Sequence, residues 1–450
     1  MKKRKGVSLP APGTRFEVYI DIMDEEGRGR ALYPGLEAEE VDVAIRGAFP
    51  GDHVSAVVEK IYAQRRLLVA RAQEVLSSGP CREASECTHA SPCAACPLET
   101  AQTTFALELK KCRVEQALDR AGLSDTVEDV KSDLTHRGYR QKVKLMIRVY
   151  KGKVRLGLFR PGSHHLQMAT SCALVHPALN ICADMLQMGL NSLIKNQQLR
   201  DDALPVAVTL RLGEEGVAAI WVSDTPLPDA AWNWMKELIA DDFFTGFGLR
   251  LRPRESNSIV SGEIIRHAGA LWLSPLEGGP RVHVDTFCQA NPNLAKTLYR
   301  DVAHFLKGAA PDGTILDAYA GNGGFSHAIK QLSPHKVMAI ETHPLCQQPL
   351  HHIADEVFIC SVDDALAQMK TRTIDAVVAD PPQKGLQHSA AALAALGASR
   401  VALVFCNPDA IGRDVPHFLD AGYRICAVVP YDLFGGTPEV ETVVYLTQSC

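Results

Sequence analysis

The sequence has no apolar run of about 18 residues or more, so it offers no membrane-spanning helix. It also lacks a signal core. Met1-Lys2-Lys3-Arg4-Lys5 is basic, but no apolar stretch follows, which argues against secretion and for a cytoplasmic protein. Without an oxidising compartment, the thirteen cysteines are expected to be thiols or metal ligands rather than disulfides. Net charge is nearly absent as well: 47 Lys and Arg against 52 Asp and Glu leave −5, so any footprint for a polyanion must be local. What remains, 46% hydrophobic and 22% charged over 450 residues, suits a globular chain with several cores.

A complete dinucleotide fingerprint is missing too, yet part of one is present. Asp317-Ala318-Tyr319-Ala320-Gly321-Asn322-Gly323-Gly324-Phe325 joins a buried strand, Gly313 to Leu316, to a helix starting at Ser326. A strand, a glycine turn and a helix bring backbone close to a nucleotide-like ligand. Val337 to Ile340 is a second apolar strand. It ends in Glu341, about twenty residues after the turn, where a ribose-binding acid sits in such folds. From residue 276 the rhythm is strand, helix, strand. Strands are expected at Ile315–Asp317, Val337–Glu341, Ala376–Asp380, Val401–Cys406, Ile425–Val429 and Val440–Leu446. That predicts an open, doubly wound, Rossmann-like α/β sheet with ligands at the strand carboxyl ends. Asp317, Glu341, Asp380 and Cys406 each close a strand, and Asp363 ends a further short apolar run.

The first two thirds read differently. Residues 1–13 form a basic tail. Residues 14–75 alternate in short runs (Phe16, Val18, Ile20; Val41, Val43, Ile45; Val54, Ala56, Val58) broken by glycine turns, which predicts a small β-barrel. Arg28, Arg30, Arg65 and Arg66 could supply phosphate contacts, with Glu37, Glu39 and Glu40 balancing them. Cys81, Cys87, Cys93 and Cys96 fall within sixteen residues, and the last three are spaced C-x5-C-x2-C. Thiolates so close suit one soft metal centre, zinc or iron–sulfur. Zinc would take Cys81 as its fourth ligand, whereas iron–sulfur could take a distant Cys172, Cys112 or Cys182. Residues 100–122 predict a helix with Leu107, Val114, Leu118 and Ala121 on one stripe. Arg137 to Arg160 holds nine Lys and Arg and no acid. Arg140, Lys142, Lys144 and Arg148 share one strand phase there, and Val143, Leu145, Ile147 and Val149 the other, a half-buried strand with a polyanion-binding face.

In this order the motifs resemble the RNA 5-methyluridine methyltransferases, in the branch with a TRAM barrel and an iron–sulfur cluster that modifies 23S ribosomal RNA. Gly27-Arg28-Gly29 and Pro50-Gly51 resemble the TRAM barrel. Cys87, Cys93 and Cys96 have the family's cluster spacing, and Leu156-Gly157-Leu158-Phe159-Arg160 precedes Cys172 as in its fourth ligand. Gly138-Tyr139-Arg140, Phe287-Cys288-Gln289-Ala290-Asn291, Asp380-Pro381-Pro382 with Gly385, Phe405-Cys406-Asn407-Pro408 with Arg413-Asp414, and Thr437 with Glu441 resemble the remaining motifs. Gln383, Gly435-Gly436 and Glu439 depart from the family pattern.

The resemblance implies a multidomain α/β enzyme: a TRAM, OB-like barrel over 14–75, a central α+β RNA-binding domain with a 4Fe–4S site over 76–275, and a methyltransferase domain over 276–450, on which the helix at 100–122 could pack. It implies methyl transfer from S-adenosylmethionine to carbon 5 of a uridine. Cys406 would be the nucleophile and Glu441 the general base. Gln289, Tyr319, Gly321, Gly324, Glu341, Asp363 and Asp380 would line the cofactor and base pocket, and Cys87, Cys93, Cys96 and Cys172 would hold the cluster, with zinc as the alternative metal. The expected partner of a monomeric protein is RNA, ribosomal before transfer RNA. The competing readings are a different pyrimidine target and a non-catalytic RNA-binding or ribosome assembly factor.

Overall fold

A computed structural model describes residues 9–448 except 37–39, 86, 88–92, 94, 160–164, 169–170, 254, 257, 259 and 370–371. Most of the basic tail, Glu37, Glu39 and Arg160 therefore lie outside the described residues. The chain forms two compact units. The first takes in the chain up to Arg113 together with Phe434–Pro438, and the second holds most of the remainder.

In the first unit, β1 (Arg15–Tyr19), β2 (Ile22–Met23), β3 (Arg28–Leu32), β4 (Asp42–Arg46), β5 (His53–Tyr62) and β6 (Leu67–Ser77) make one sheet ordered β1-β5-β6-β4-β3-β2. Its two edge strands are consecutive in the chain and separated by only Ile20 and Asp21, so the sheet has to curl into a half-barrel. Register shifts along β5 and β6 supply the bend. The alternating residues read from sequence meet inside: Ile20, Val41, Val43, Ile45, Val54, Ala56 and Val58 are buried together, with Phe16 and Val18 packed against them. Of the expected phosphate-binding arginines, Arg28 pairs with Asp24 and Glu26 and Arg30 with Asp42, while Arg65 and Arg66 stand exposed.

The carboxylate of Asp52, fully buried, fastens this sheet to the segment after it. It accepts from Phe49 N at 2.7 Å and Gly79 N at 2.8 Å, and pairs with Arg82 at 2.7 Å. Cys81 packs beside this point, against Phe49, Leu98, Ala101 and Ala106. It serves there as a small apolar side chain, with burial raising its thiol above the ordinary range.

The second unit contains two seven-stranded sheets. One is built from β7 (Lys142–Tyr150), β8 (Lys153–Phe159), β9 (Leu166–Met168), β10 (Ala207–Gly213), β11 (Gly216–Ser223), β12 (Gly246–Leu251) and β13 (Ile264–Gly269), ordered β13-β12-β11-β10-β7-β8-β9. Helix α1 is Thr103–Arg120. Helices α2 (Pro177–Lys195) and α3 (Asp229–Ala240) bury Leu179, Leu186, Leu190, Trp232 and Met235 against one face of this sheet, where Val143, Leu145 and Ile147 of β7 point. Val149, expected on the same face, is 42% exposed because β7 runs past the helices there. A short pair, β14 (Trp272–Leu273) and β15 (Val282–His283), covers part of the opposite face.

The other sheet comprises β16 (Thr314–Ala318), β17 (Lys336–Glu341), β18 (Glu356–Ile359), β19 (Ala376–Ala379), β20 (Arg400–Phe405), β21 (Tyr423–Tyr431) and β22 (Glu441–Gln448), ordered β18-β17-β16-β19-β20-β22-β21. The first five run parallel, as a doubly wound sheet requires. The departure is β22, which pairs antiparallel with both β20 and β21. The flanking helices are α4 (Pro292–Leu306), α5 (Gly324–Leu332), α6 (Gln347–His351), α7 (Val362–Gln368), α8 (Ser389–Ala394) and α9 (Ile411–Asp420). Val114 and Leu118, from the C-terminal half of α1, are buried in this core beside Phe405 and Val428. No helix among the described residues is long and apolar enough to cross a membrane.

Asp52→Ala leaves Arg82 and two backbone N–H groups buried without their acceptor, a loss expected to cost about 3–5 kcal/mol. Hydrogen exchange across β1–β6, followed by mass spectrometry, should accelerate accordingly. Unchanged protection would show that Asp52 does not hold the sheet.

Candidate active site

The carboxyl ends of four neighbouring strands bring the polar residues together. Strand order places β16, β19, β20 and β22 side by side, so Asp317, Asp380, Cys406 and Glu441 form a row. Glu441 joins it because β22 is reversed: Thr442 pairs with Phe405, which sets the first residue of β22 beside the residue after β20. The parallel pattern expected from sequence has no reason to put a strand's first residue at this edge.

The row is acidic and desolvated. Asp317 is fully buried, and Ser326 donates to its Oδ2 from N at 2.9 Å and from Oγ at 2.5 Å. Burial, more than the nearby Glu341, pushes Asp317 up to about 7. Burial and then Asp317 push Asp380 up to about 7 as well. Glu441, 1% exposed, is raised further by burial and by Asp380. Burial, then Glu441 and Asp380, hold the Cys406 thiol at about 11. Three acceptors here, Asp317 Oδ1, Gln289 Oε1 and Glu441 Oε1, are buried without a hydrogen-bond partner. Asp317, Asp380, Glu341 and Glu441 make no ion pair among the described residues. Uncompensated buried acceptors in a cleft suit a ligand that brings positive charge and N–H or O–H donors.

The glycine turn forms one wall. Tyr319, Gly321 and Gly323 all have positive φ, and the Tyr319 value of +64° is strained for a bulky residue. A Cβ on Gly321 would meet nothing within 4 Å, so this backbone faces open space. Glu341 accepts from Gly321 N at 2.9 Å and from the N–H groups of Thr342 and His343 at 2.7 and 2.8 Å, which fixes its carboxylate beside the turn. Asp363 lies in the first turn of α7 and accepts from Ser389 Oγ at 2.8 Å. It raises the Tyr319 phenol, after burial, as a nearby negative charge.

Asn322 and Tyr299, to which the sequence reading gave no role, hold this geometry together with residues of the motifs. Asn322 donates to Phe287 O at 2.6 Å and accepts from Thr286 Oγ1 at 3.1 Å, tying the glycine turn to the segment that carries Gln289. Gln289 donates to Asp380 at 3.3 Å. Asn291 caps α4, accepting from Leu294 N at 3.2 Å. That helix carries Tyr299, whose ring lies where a Cβ on Gly324 would go, 2.6 Å from its ring carbon. Position 324 is therefore glycine for packing. Burial, then Cys288, Asp380, Glu441 and Asp317, raise the Tyr299 phenol well above its ordinary value and keep it neutral. On the other side, Asp414 accepts from Leu386 N at 2.6 Å, and its carboxylate fills the space a Cβ on Gly385 would need. The Asp-Pro-Pro segment and the Arg413-Asp414 pair are thus one lock, although the motifs are about thirty residues apart.

The basic face expected on β7 divides. Lys142 donates to Asp285 O at 3.2 Å and Thr286 O at 3.0 Å. Burial, then the adjacent Arg211 charge, brings its ammonium down to about 7. Arg211 is fully buried, donating to Val284 O at 3.4 Å, to Thr286 O and to Cys288 Sγ at 2.6 Å. Arg250 pairs with Asp285. Lys142 is therefore committed to the segment leading to Gln289, a use that a strand pattern cannot reveal. Gln383 and Glu439, which depart from the motif pattern, are exposed.

The expected metal ligands Cys87, Cys93, Cys96 and Cys172 are each half-buried. Among the described residues, no group of three or more His, Cys, Asp or Glu side chains is assembled to hold a metal ion.

No family model matches the chain. Full-length relatives do. A protein described as an RNA methyltransferase in Parasynechococcus marenigrum strain WH8102 is 26% identical over 462 residues, covering 98% of this chain and 97% of the relative. The 23S rRNA (uracil(1939)-C(5))-methyltransferase RlmD of Alkalilimnicola ehrlichii is 28% identical over 451 residues, covering 96% of each. Along nearly its whole length the chain is thus similar to proteins named as RNA methyltransferases, 23S rRNA uracil-C5 methyltransferases among them. Among solved structures, the Pyrococcus abyssi tRNA (uracil-54, C5)-methyltransferase, in complex with S-adenosyl-L-homocysteine, shares the fold with a TM-score of 0.73. It is 22% identical, covering 96% of this chain and 100% of that one. The residues that carry the sequence resemblance lie together: an acidic row, a glycine turn beside it and the Cys406 thiol within the row.

A thiol held at about 11 is almost wholly protonated at neutral pH. Iodoacetamide alkylation of Cys406, read by peptide mass spectrometry, should rise about tenfold per pH unit from pH 7 to 10. A plateau already reached by pH 8 would contradict the site as described.

Proposed function

We propose that the protein transfers a methyl group from S-adenosylmethionine to carbon 5 of a uridine in RNA. The observation that carries this reading is the adjacency of Cys406 and Glu441, 35 residues apart in sequence and set side by side by the β20–β22 register. The relatives that match along nearly their whole length and act on 23S rRNA favour ribosomal over transfer RNA as the substrate.

S-adenosylmethionine supplies the electrophilic methyl group and the positive charge that the acidic row calls for. Gln289, Tyr319, Gly321 and Gly324 would hold its methionine end, Glu341 its ribose and Asp363 its adenine, with Asp380 lining the pocket towards the uracil's polar edge. Glu341 is held in place by three backbone N–H groups, which is the rigidity a ribose contact needs. Carbon 5 of uracil is a poor nucleophile. Addition of the Cys406 sulfur to carbon 6 places electron density on carbon 5, which can then accept the methyl group. The thiol proton leaves to the Asp380–Glu441 pair, whose proton affinity burial raises, Asp380 to about 7. Glu441 then takes the proton from carbon 5, and Cys406 is expelled as thiolate and reprotonated from the pair. One proton is released per methyl transferred. To reach this pocket the target base has to leave its stack.

The curled N-terminal sheet fits a TRAM-type RNA-binding barrel. The metal reading rests on sequence spacing and donor chemistry, with three half-buried thiols within ten residues as expected for a 4Fe–4S centre. No step of the reaction is routed through it.

Incubation with S-adenosylmethionine and unmodified ribosomal RNA, followed by nucleoside mass spectrometry, should yield 5-methyluridine with the native protein and none with Cys406→Ala. Glu441→Gln should instead accumulate a covalent protein–RNA adduct, because elimination needs the base. Product from Cys406→Ala would sink the mechanism. Anaerobically purified protein should contain iron and labile sulfide, lost in Cys172→Ala and kept in Cys81→Ala. About one zinc per chain would overturn the cluster assignment.

A further inference from the structure

The basic face of β7 does not end at Lys142. Arg148 and Tyr150 lie on the same strand phase, beyond the cover of Val282 to Thr286, and there the strand enters a hairpin with β8. Arg148, Val149, Tyr150, Lys151, Gly152 and Lys153 are all exposed, Tyr150 by 62%. Arg148 pairs directly across the hairpin with Arg155, and Tyr150 with Lys153. One face of the tip therefore presents two arginines, a lysine and an aromatic ring, with Lys151 at the turn.

Two features of this tip cost stability. Like charges at directly opposed positions repel, and Arg148 and Arg155 make no ion pair among the described residues. The two-residue turn puts both Lys151 and Gly152 at positive φ, +50° and +71°. Asparagine, aspartate or glycine usually takes the first of these positions, and a lysine there is strained. Arg148 donates to Ile147 O at 2.7 Å and lies over the Phe159 ring, but no acid neutralises the Arg148–Arg155 pair among the described residues. A phosphate backbone would relieve the first, and Tyr150 offers the stacking face that unpaired bases use.

We propose that the β7–β8 hairpin tip is a docking site for a single-stranded segment of RNA. Arg148, Lys151, Lys153 and Arg155 meet its phosphates, and one base stacks on Tyr150. This rests on the reading of the protein as an RNA methyltransferase and adds where, outside the pocket, the RNA is gripped. The pocket and the tip make separate contributions: the pocket acts on one nucleotide, and the tip holds flanking chain without reading sequence.

The test is binding of a mixed-sequence single-stranded RNA of about 20 nucleotides, and of its duplex, across a range of KCl concentrations. Lys151→Gln/Lys153→Gln should lower the slope of log K against log salt by about 1.4 in magnitude, from about 0.7 per phosphate contact on single strands. Tyr150→Ala should weaken single-strand binding about tenfold and spare the duplex, with Tyr150→Phe restoring it. S-adenosylhomocysteine affinity should be unchanged in all three variants, showing that the pocket is intact. Native slope and affinity in the variants would overturn the hairpin assignment and leave the methyltransferase reading standing. So would equal losses on single strand and duplex from Tyr150→Ala, or tip-dependent binding to phosphatidylserine vesicles in place of RNA. A native protein that binds neither RNA and makes no 5-methyluridine would overturn the underlying reading itself.

Discussion

The second unit is organised around a local excess of buried negative charge. Asp317, Asp380 and Glu441 stand at adjacent strand ends, with Glu341 close by, and none forms an ion pair among the described residues. Isolated buried carboxylates are expensive, and these are made tolerable in two ways. Burial raises the proton affinities of Asp317, Asp380 and Glu441, and nearby donors (Ser326, the Gly321 N–H, the Gln289 amide) take part of the charge. The cations are set back from the row. Lys142, Arg211 and Arg250 bind the carbonyls and the single carboxylate of Val284 to Thr286, behind the residues that face the pocket. The result is an anionic cleft with a stiff cationic backing. A cleft of that polarity attracts a cationic ligand, and the groups beside its thiol can take up protons at working pH.

Much of this was legible in the sequence, because it depends on period and on chain order. The strands of the second sheet were visible as short apolar runs closed by acids, and Asp317, Glu341 and Asp380 occur at the ends expected of them. Ile20, Val43 and Val54 gave away the curled sheet through strict alternation. The placement of Glu441 could not be read this way. It depends on β22 running against β20, and a buried strand has the same composition in either direction. Asn322 and Tyr299 were equally hidden. Each acts by touching a segment far away in sequence, Asn322 at Phe287 and Tyr299 at Gly324, and neither leaves a periodic trace.

The basic stretch shows the same limit more sharply. Lys142 and Arg148 share a strand phase, a composition and a charge, and sequence assigned them one role. The structure separates them by what lies overhead. Residues 282–286 cover Lys142, whose charge is then needed internally, while Arg148 lies past the edge of that cover and stays in water. Burial decides what a cation can do, and burial is set by a segment some 140 residues away. The Asp-Pro-Pro and Arg-Asp motifs make the complementary point. They read as separate catalytic signatures, yet Asp414 and Gly385 are halves of one lock that fixes the loop after Asp380.

Both roles of β7 belong to one continuous strand. From Lys142 to Arg148 the strand spans about 20 Å, at roughly 3.3 Å per residue. Its inner end grips the segment that carries Phe287 and Gln289, and its outer end presents the hairpin. Its inner half, Lys142 to Met146, pairs with β10, and its outer half, Met146 to Tyr150, pairs with β8, the two ladders meeting at Met146. On the proposed docking, RNA at the tip lies about one strand length from the Gln289 segment, which is 67% exposed at Phe287. On the proposed reading, the spacing along β7 sets which nucleotide reaches the row of acids around Cys406.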